Sequence, residues 1–191
     1  MTMHAIILAV VLAGDLLAHM AAPNAGLTSY EVPVHFDVDL HSFLSMHTGL
    51  DGKAYFKRPD KSAVDFDTVP MLADAFKHLA GTLGTPETWP QTYDITLNSD
   101  TELKLVPKKA GNVAAVIVDV DPADYGIVRE RWHYKDGGSI DVHQTNAVVG
   151  GFLLPRKAIG DFDLTQYKAH VVSDYGTYKL NIDIPDSVFA K

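Results

Sequence analysis

The chain has 191 residues, a formal charge of −8 and no cysteine. That length suits one domain with a substantial core, and the acidic balance, with Lys and Arg scattered, leaves no basic stripe to meet nucleic-acid phosphates. The lack of cysteine excludes disulfides, thiolate nucleophiles, Cys-based zinc or iron–sulfur sites and a lipid-modified N-terminal cysteine, so the chain is not itself a lipoprotein.

Residues Ala5 to Ala13 are an unbroken apolar run, followed by Gly14, Asp15 and the small-residue stretch Ala21-Ala22-Pro23-Asn24-Ala25. This outlines a secretory signal peptide over residues 1–25, although Met1-Thr2-Met3-His4 carries no Lys or Arg. The alternative is a buried N-terminal helix. Nine apolar residues are too few to span a hydrocarbon core, which needs about 20.

From Tyr30 to His41 the alternation is nearly perfect. Tyr30, Val32, Val34, Phe36, Val38 and Leu40 share one face, and Glu31, Pro33, His35, Asp37, Asp39 and His41 the other. This is a half-buried strand with one wet face. Pro33 has no ladder donor and suggests an edge or a bulge. The polar face offers a His-Asp-Asp-His comb, but residues i and i+4 on a strand are about 13 Å apart, too far to share one ion. Next, Gly52 to Phe66 reads as strand, Pro59-Asp60 turn and strand. Ala54, Phe56 and Arg58 lie on one face of the first arm, and Val64 and Phe66 on one face of the second.

Pro70 opens the one convincing helix, with Met71, Leu72, Ala75, Phe76 and Leu79 as its apolar stripe and Gly81 and Gly84 at its end. Strands are expected at Thr92–Leu97, Glu102–Val106, Val113–Asp121, Tyr125–Lys135, Ser139–Val149, Gly151–Pro155, Thr165–Ser173 and Tyr175–Asp183, with Asp136-Gly137-Gly138 as a hairpin turn. Arg129, Arg131 and His133 oppose Val128, Trp132 and Tyr134, a polar row able to greet an anionic headgroup or simply to face water. About eleven strands with one or two short helices make a mainly β (α+β) chain. So large an antiparallel sheet must curl, and one short helix is a small plug for its concave face. Such a sheet either closes tightly on itself or keeps an apolar cavity with the helix as a partial lid, in a single domain over residues 26–191.

Three segments, in order, resemble the LolA/LolB-type lipoprotein carriers. They are Gly52 to Lys61 with its Lys-Arg-Pro, Leu103 to Lys109 with the following strand to Asp121, and Tyr178 to Phe189. The resemblance implies a periplasmic or secreted carrier, a monomer that shields acyl chains of lipoproteins or other lipids and exchanges them with membrane-bound donor and acceptor proteins. It also implies a large curved antiparallel sheet forming an open half-barrel with a short helical lid, and that Arg58 holds this lid across the barrel mouth. The family's N-terminal helix has no clear counterpart before Tyr30. The expected cavity and lid residues are Phe36, Val38, Phe56, Arg58, Val64, Phe66, Phe76, Leu79, Val116, Val118, Trp132 and Tyr178; the alternative is ordinary core for the apolar ones and a surface arginine at a strand end for Arg58. No Gly-x-Ser-x-Gly elbow, His-Glu-x-x-His or phosphate-binding glycine loop is present, so no catalytic residue, metal or cofactor is expected. A β-barrel enzyme acting on a small apolar substrate and a cell-envelope interaction module are the alternatives.

Overall fold

The alternating runs pair into one 11-stranded antiparallel sheet. A computed structural model describes residues 13–41, 45–67 and 83–190. The strands are β1 (Ser29–His41), β2 (Ser45–Lys57), β3 (Lys61–Phe66), β4 (Tyr93–Ser99), β5 (Glu102–Pro107), β6 (Val113–Val120), β7 (Ile127–Tyr134), β8 (Ser139–Val149), β9 (Phe152–Asp163), β10 (Lys168–Tyr175) and β11 (Lys179–Leu180). Their order is β3-β2-β1-β10-β9-β8-β7-β6-β5-β4, with β11 beside β1. The edges β3 and β4 do not pair with each other, so the sheet is an open half-barrel. The connection from β3 to β4 joins its two edges. The expected helix from Pro70, with Phe76 and Leu79, falls in this connection and lies outside the described residues.

The period-two pattern sets the faces. Val32, Val34, Val38 and Leu40 are buried on the concave side, while Pro33, His35, Asp37 and His41 are more exposed on the other. Strand β1 is not an edge, as Pro33 had suggested; it lies between β2 and β10. The proline is tolerated because the partner on that side breaks there. Pairing with β10 begins at Val34, pairing with β11 ends at Glu31, and the Pro33 carbonyl accepts from Gly176 N at 2.8 Å.

Two other expectations shift. The strand expected to end at Pro155 continues to Asp163, because the register against β8 slips between Thr145 and Asn146. That bulge absorbs the residue between Pro155 and Lys157, and the alternation then resumes. The last strand, expected over Tyr175–Asp183, contracts to Lys179–Leu180 because β10 ends at Tyr175 and Gly176 turns to bond Pro33. At the Asp136-Gly137-Gly138 turn Gly137 takes φ of +91°, and Asp136 accepts from Gly138 N at 3.1 Å.

A helix over residues 13–21, here α1, precedes β1 and packs into the core. Ala13, Leu16, Leu17 and Met20 recur at helical spacing and are buried against Trp89, Leu103, Leu105, Val116, Val118 and Trp132. His19 stacks on Tyr125 with ring centroids 4.6 Å apart. Asn24 then pairs with the backbone of β9 like a short strand, donating to Leu153 O and accepting from Leu153 N, both at 2.9 Å. Cleavage after Ala25 would strip all of these contacts from the domain.

Candidate ligand-binding cavity

α1 and Trp89 cover the inner face of β4–β7, where Trp89, Leu103, Leu105, Val116 and Val118 are completely buried. The inner face from β7 through β8, β9, β10 and β1 to β2 and β3 instead bounds a cavity of about 670 Å³, within the usual range for small-molecule sites. Its wall is mostly apolar, with Phe36, Val38 and Leu50 on the β1–β2 side, Val64 and Phe66 on β3, and Trp132, Phe162 and Val171 on the opposite side. Phe36 and Phe66 meet with ring centroids 5.5 Å apart. Ser187, Val188 and Phe189 of the C-terminal segment complete the wall next to β3. A second cavity of about 380 Å³ lies towards α1 and has a more polar lining, including Asn24, Tyr30, Arg58, Gln144 and Asn146.

Of the expected residues, Phe36, Val38, Val64, Phe66 and Trp132 line the larger cavity, and Phe56 and Arg58 the smaller. Three others lie elsewhere. Val116 and Val118 are sealed in the core under α1 rather than facing a cavity. Tyr178 is buried in a cluster with Val32, Val34 and Leu154, where its hydroxyl donates to Pro155 O at 2.6 Å. Burial pushes its pKa well above the usual phenol value. Alternation could not separate these cases, because a packed wall and an open wall have the same sequence period.

Lys57 ends β2 and Arg58 follows it at the hairpin turn, and each ties down a different segment. Arg58 Nε donates to Leu27 O at 2.7 Å and Nη2 to Asn24 O at 2.6 Å, and Nη1 pairs with Glu87. The hairpin tip also holds the segment around Glu87 through Thr85 N bonding Pro59 O at 3.1 Å. Burial pushes the Glu87 carboxyl up, but the Arg58 hydrogen bond and local donors outweigh it and the pKa falls below the ordinary value. Lys57 Nζ donates to Ile184 O at 2.9 Å and pairs with Asp186 at 2.8 Å, and Lys61 adds a second contact to Asp186 at 2.9 Å. These two lysines hold the Asp186 pKa down to about 2 and moor the C-terminal strap beside the cavity.

The charged rows of the sequence lie on the convex side. Arg129 makes a two-pronged contact with Asp141, and Arg131 bonds Glu102 at 2.6 Å and Asp119 at 3.0 Å. Both arginines are therefore already engaged, with Asp119 and Asp141 as their ion-pair partners. His35 bonds Asp51 at 2.7 Å and His47 bonds Asp39 at 2.7 Å across strands. Among the described residues no group of three potential ligands could hold a metal ion, and no helix is long and apolar enough to cross a membrane.

One residue of the interior escaped the sequence reading. Glu130 sits between Val128 and Trp132 on the inward face of β7 and lines both cavities. Trp132 Nε1 donates to Glu130 Oε2 at 3.1 Å. Burial raises the carboxyl pKa, the Trp132 bond offsetting only part of that effect. The signal was available: a single acid in an otherwise apolar alternating row.

No family profile and no curated protein matches the chain. Among the solved structures that match, three cover more than nine-tenths of it. A DUF1329 family protein from Desulfovibrio piger has a TM-score of 0.71 at 12% identity, covering 95% of this chain and 97% of that one. A LolA superfamily protein from Nitrosomonas europaea has a TM-score of 0.63 at 14% identity, covering 94% and 97%. A domain from Vibrio parahaemolyticus described as an outer membrane lipoprotein-sorting protein has a TM-score of 0.64 at 9% identity, covering 92% and 94%. The resemblance first drawn from Lys-Arg-Pro and the two later segments thus extends to the whole architecture: the chain has the open half-barrel fold of LolA-superfamily proteins.

Proposed function

We propose that this protein is a non-catalytic carrier that takes the acyl chain of a lipoprotein or another lipid into the larger cavity. The observation that carries this reading is the cavity of about 670 Å³, walled by aromatic and aliphatic side chains on the concave face of a sheet that does not close. The fold shared with a LolA-superfamily protein and with the lipoprotein-sorting domain supports it. Burial of an acyl chain releases about 0.8 kcal/mol per methylene before entropic costs. A carrier with that affinity must give its cargo up by competition. The segments moored by Arg58, Lys57 and Lys61 are the elements whose movement would open the site, and unloading then requires a partner that binds the cargo more tightly. In this reading the protein is a monomer of the periplasm or the secreted fraction and meets membrane-bound donors and acceptors.

Native mass spectrometry of the protein from its producing cells, followed by organic extraction, tests the reading. A stoichiometric acylated species is expected. Protein that is recovered empty and fails to bind a neutral environment-sensitive apolar dye would refute it.

A further inference from the structure

Resting on the carrier reading, we infer that Glu130 is the head-group anchor of the cavity and that the preferred cargo is an amphiphile with an amine in its head group. Three residues belong to the linings of both cavities: Ser62, Glu130 and Tyr175. All three carry polar side-chain groups. They form a polar waist between an apolar chamber large enough for a tail and a smaller, more polar chamber lined by Asn24, Gln144 and Asn146. An amphiphile lying across that waist has its tail among Phe36, Phe66 and Phe162 and its head group beside Glu130.

The charge at the waist selects the head group. The larger cavity contains the acids Glu130 and Asp65 in its lining and no Lys, Arg or His among the described residues. Among its described lining residues the smaller has one cation, Arg58, whose guanidinium is already committed to Asn24 O, Leu27 O and Glu87. Among the described residues, Glu130 has a tryptophan N–H as its hydrogen-bond donor and no basic partner. Burying such a group without a counter-charge is unfavourable, and its influence reaches Tyr175, whose pKa is pushed up to about 12 by burial and then by the Glu130 charge. An ammonium head group supplies the missing charge and hydrogen-bond donors in a poorly screened setting. A carboxylate head group meets repulsion at the same place. An alcohol, neutral and able to donate one hydrogen bond, falls between them.

The test is a competition assay on the delipidated full chain, displacing a neutral apolar dye with dodecylamine, dodecanol and dodecanoate at neutral pH. The amine is expected to bind at least about tenfold more tightly than the carboxylate, equivalent to about 1.4 kcal/mol, with the alcohol between. Glu130→Gln, checked for retained β-sheet circular dichroism, is expected to reduce the amine-to-carboxylate ratio to about one while leaving the alcohol unchanged within about twofold. Equal binding of amine and carboxylate by the unsubstituted protein overturns the head-group assignment and leaves the carrier reading standing, and this result does not depend on how the variant folds. Retention of the amine preference in Glu130→Gln overturns the role of Glu130. If neither the dye nor any of the three compounds binds, the carrier reading itself falls.

Discussion

The two halves of the half-barrel are made from the same alternating strands and differ in what covers them. Over β4–β7, α1 and Trp89 fill the concave face until Leu103, Leu105, Val116 and Val118 lose all exposure. Over β1, β3, β9 and β10 the described residues supply only the thin C-terminal strap, and a cavity remains. The difference teaches that sheet curvature alone does not make a binding site.

Breaking the packed half should have the largest effect. Trp89→Ala removes a fully buried indole and is expected to cost about 3–5 kcal/mol in denaturant unfolding, whereas Phe66→Ala in the cavity wall should cost about 1 kcal/mol, because its ring already borders open space. Similar losses at both positions would dissolve the distinction between the halves. Removing residues 1–25 takes four apolar side chains from the same core and should destabilise the domain at least as much as Trp89→Ala.

Arg58→Leu addresses the joint between the halves. It leaves Asn24 O and Leu27 O without their donor and should lower stability by about 2–3 kcal/mol, a figure that discounts the partly exposed Glu87 pair. The same variant should exchange bound dye more slowly or more quickly than the parent protein. An unchanged exchange rate would remove Arg58 from any lid role.

Glu130 sharpens the contrast in the opposite direction. Its pKa is raised in the fold, so the ionised form is penalised, and the penalty is absent below the ordinary carboxylate value near 4.5 and grows as pH rises above it. Glu130→Gln should therefore raise the melting temperature at pH 7 and leave it nearly unchanged at pH 4. No gain at pH 7 would mean that the carboxyl is solvated. A residue that weakens the fold at neutral pH while lining a cavity fits a binding role better than a structural one.

The smallest effect concerns the strap. Asp186 is fully exposed, and its pKa is lowered from 3.8 to about 2 by hydrogen bonds from Lys57 and Lys61. The contribution of these pairs is present above the ordinary value and is lost as pH falls through about 2. High salt should also weaken them. Asp186→Asn should speed dye exchange at neutral pH with little change in melting temperature. Exchange that is indifferent to Asp186 and to salt would show that the strap does not gate the cavity.

The sequence by itself determined where most of the strands run, which face of each is apolar, and that so much sheet with so little helix must curl. The period of two is written into runs such as Tyr30–His41, and Lys-Arg-Pro with Arg58 located the hairpin that moors the neighbouring segments. The tertiary structure alone decided which apolar face is filled and which is open. Val116 and Val38 obey the same alternation, yet the first lies under α1 and the second lines a cavity, because coverage depends on where a distant helix comes to rest. It also placed Pro33 inside the sheet, where a neighbouring strand ends, and joined Ser62, Glu130 and Tyr175 into one polar waist from strands far apart in the chain. Local periodicity reports the environment of one strand face. A cavity is a relation among several faces, fixed only when the sheet curves and its covering segments dock.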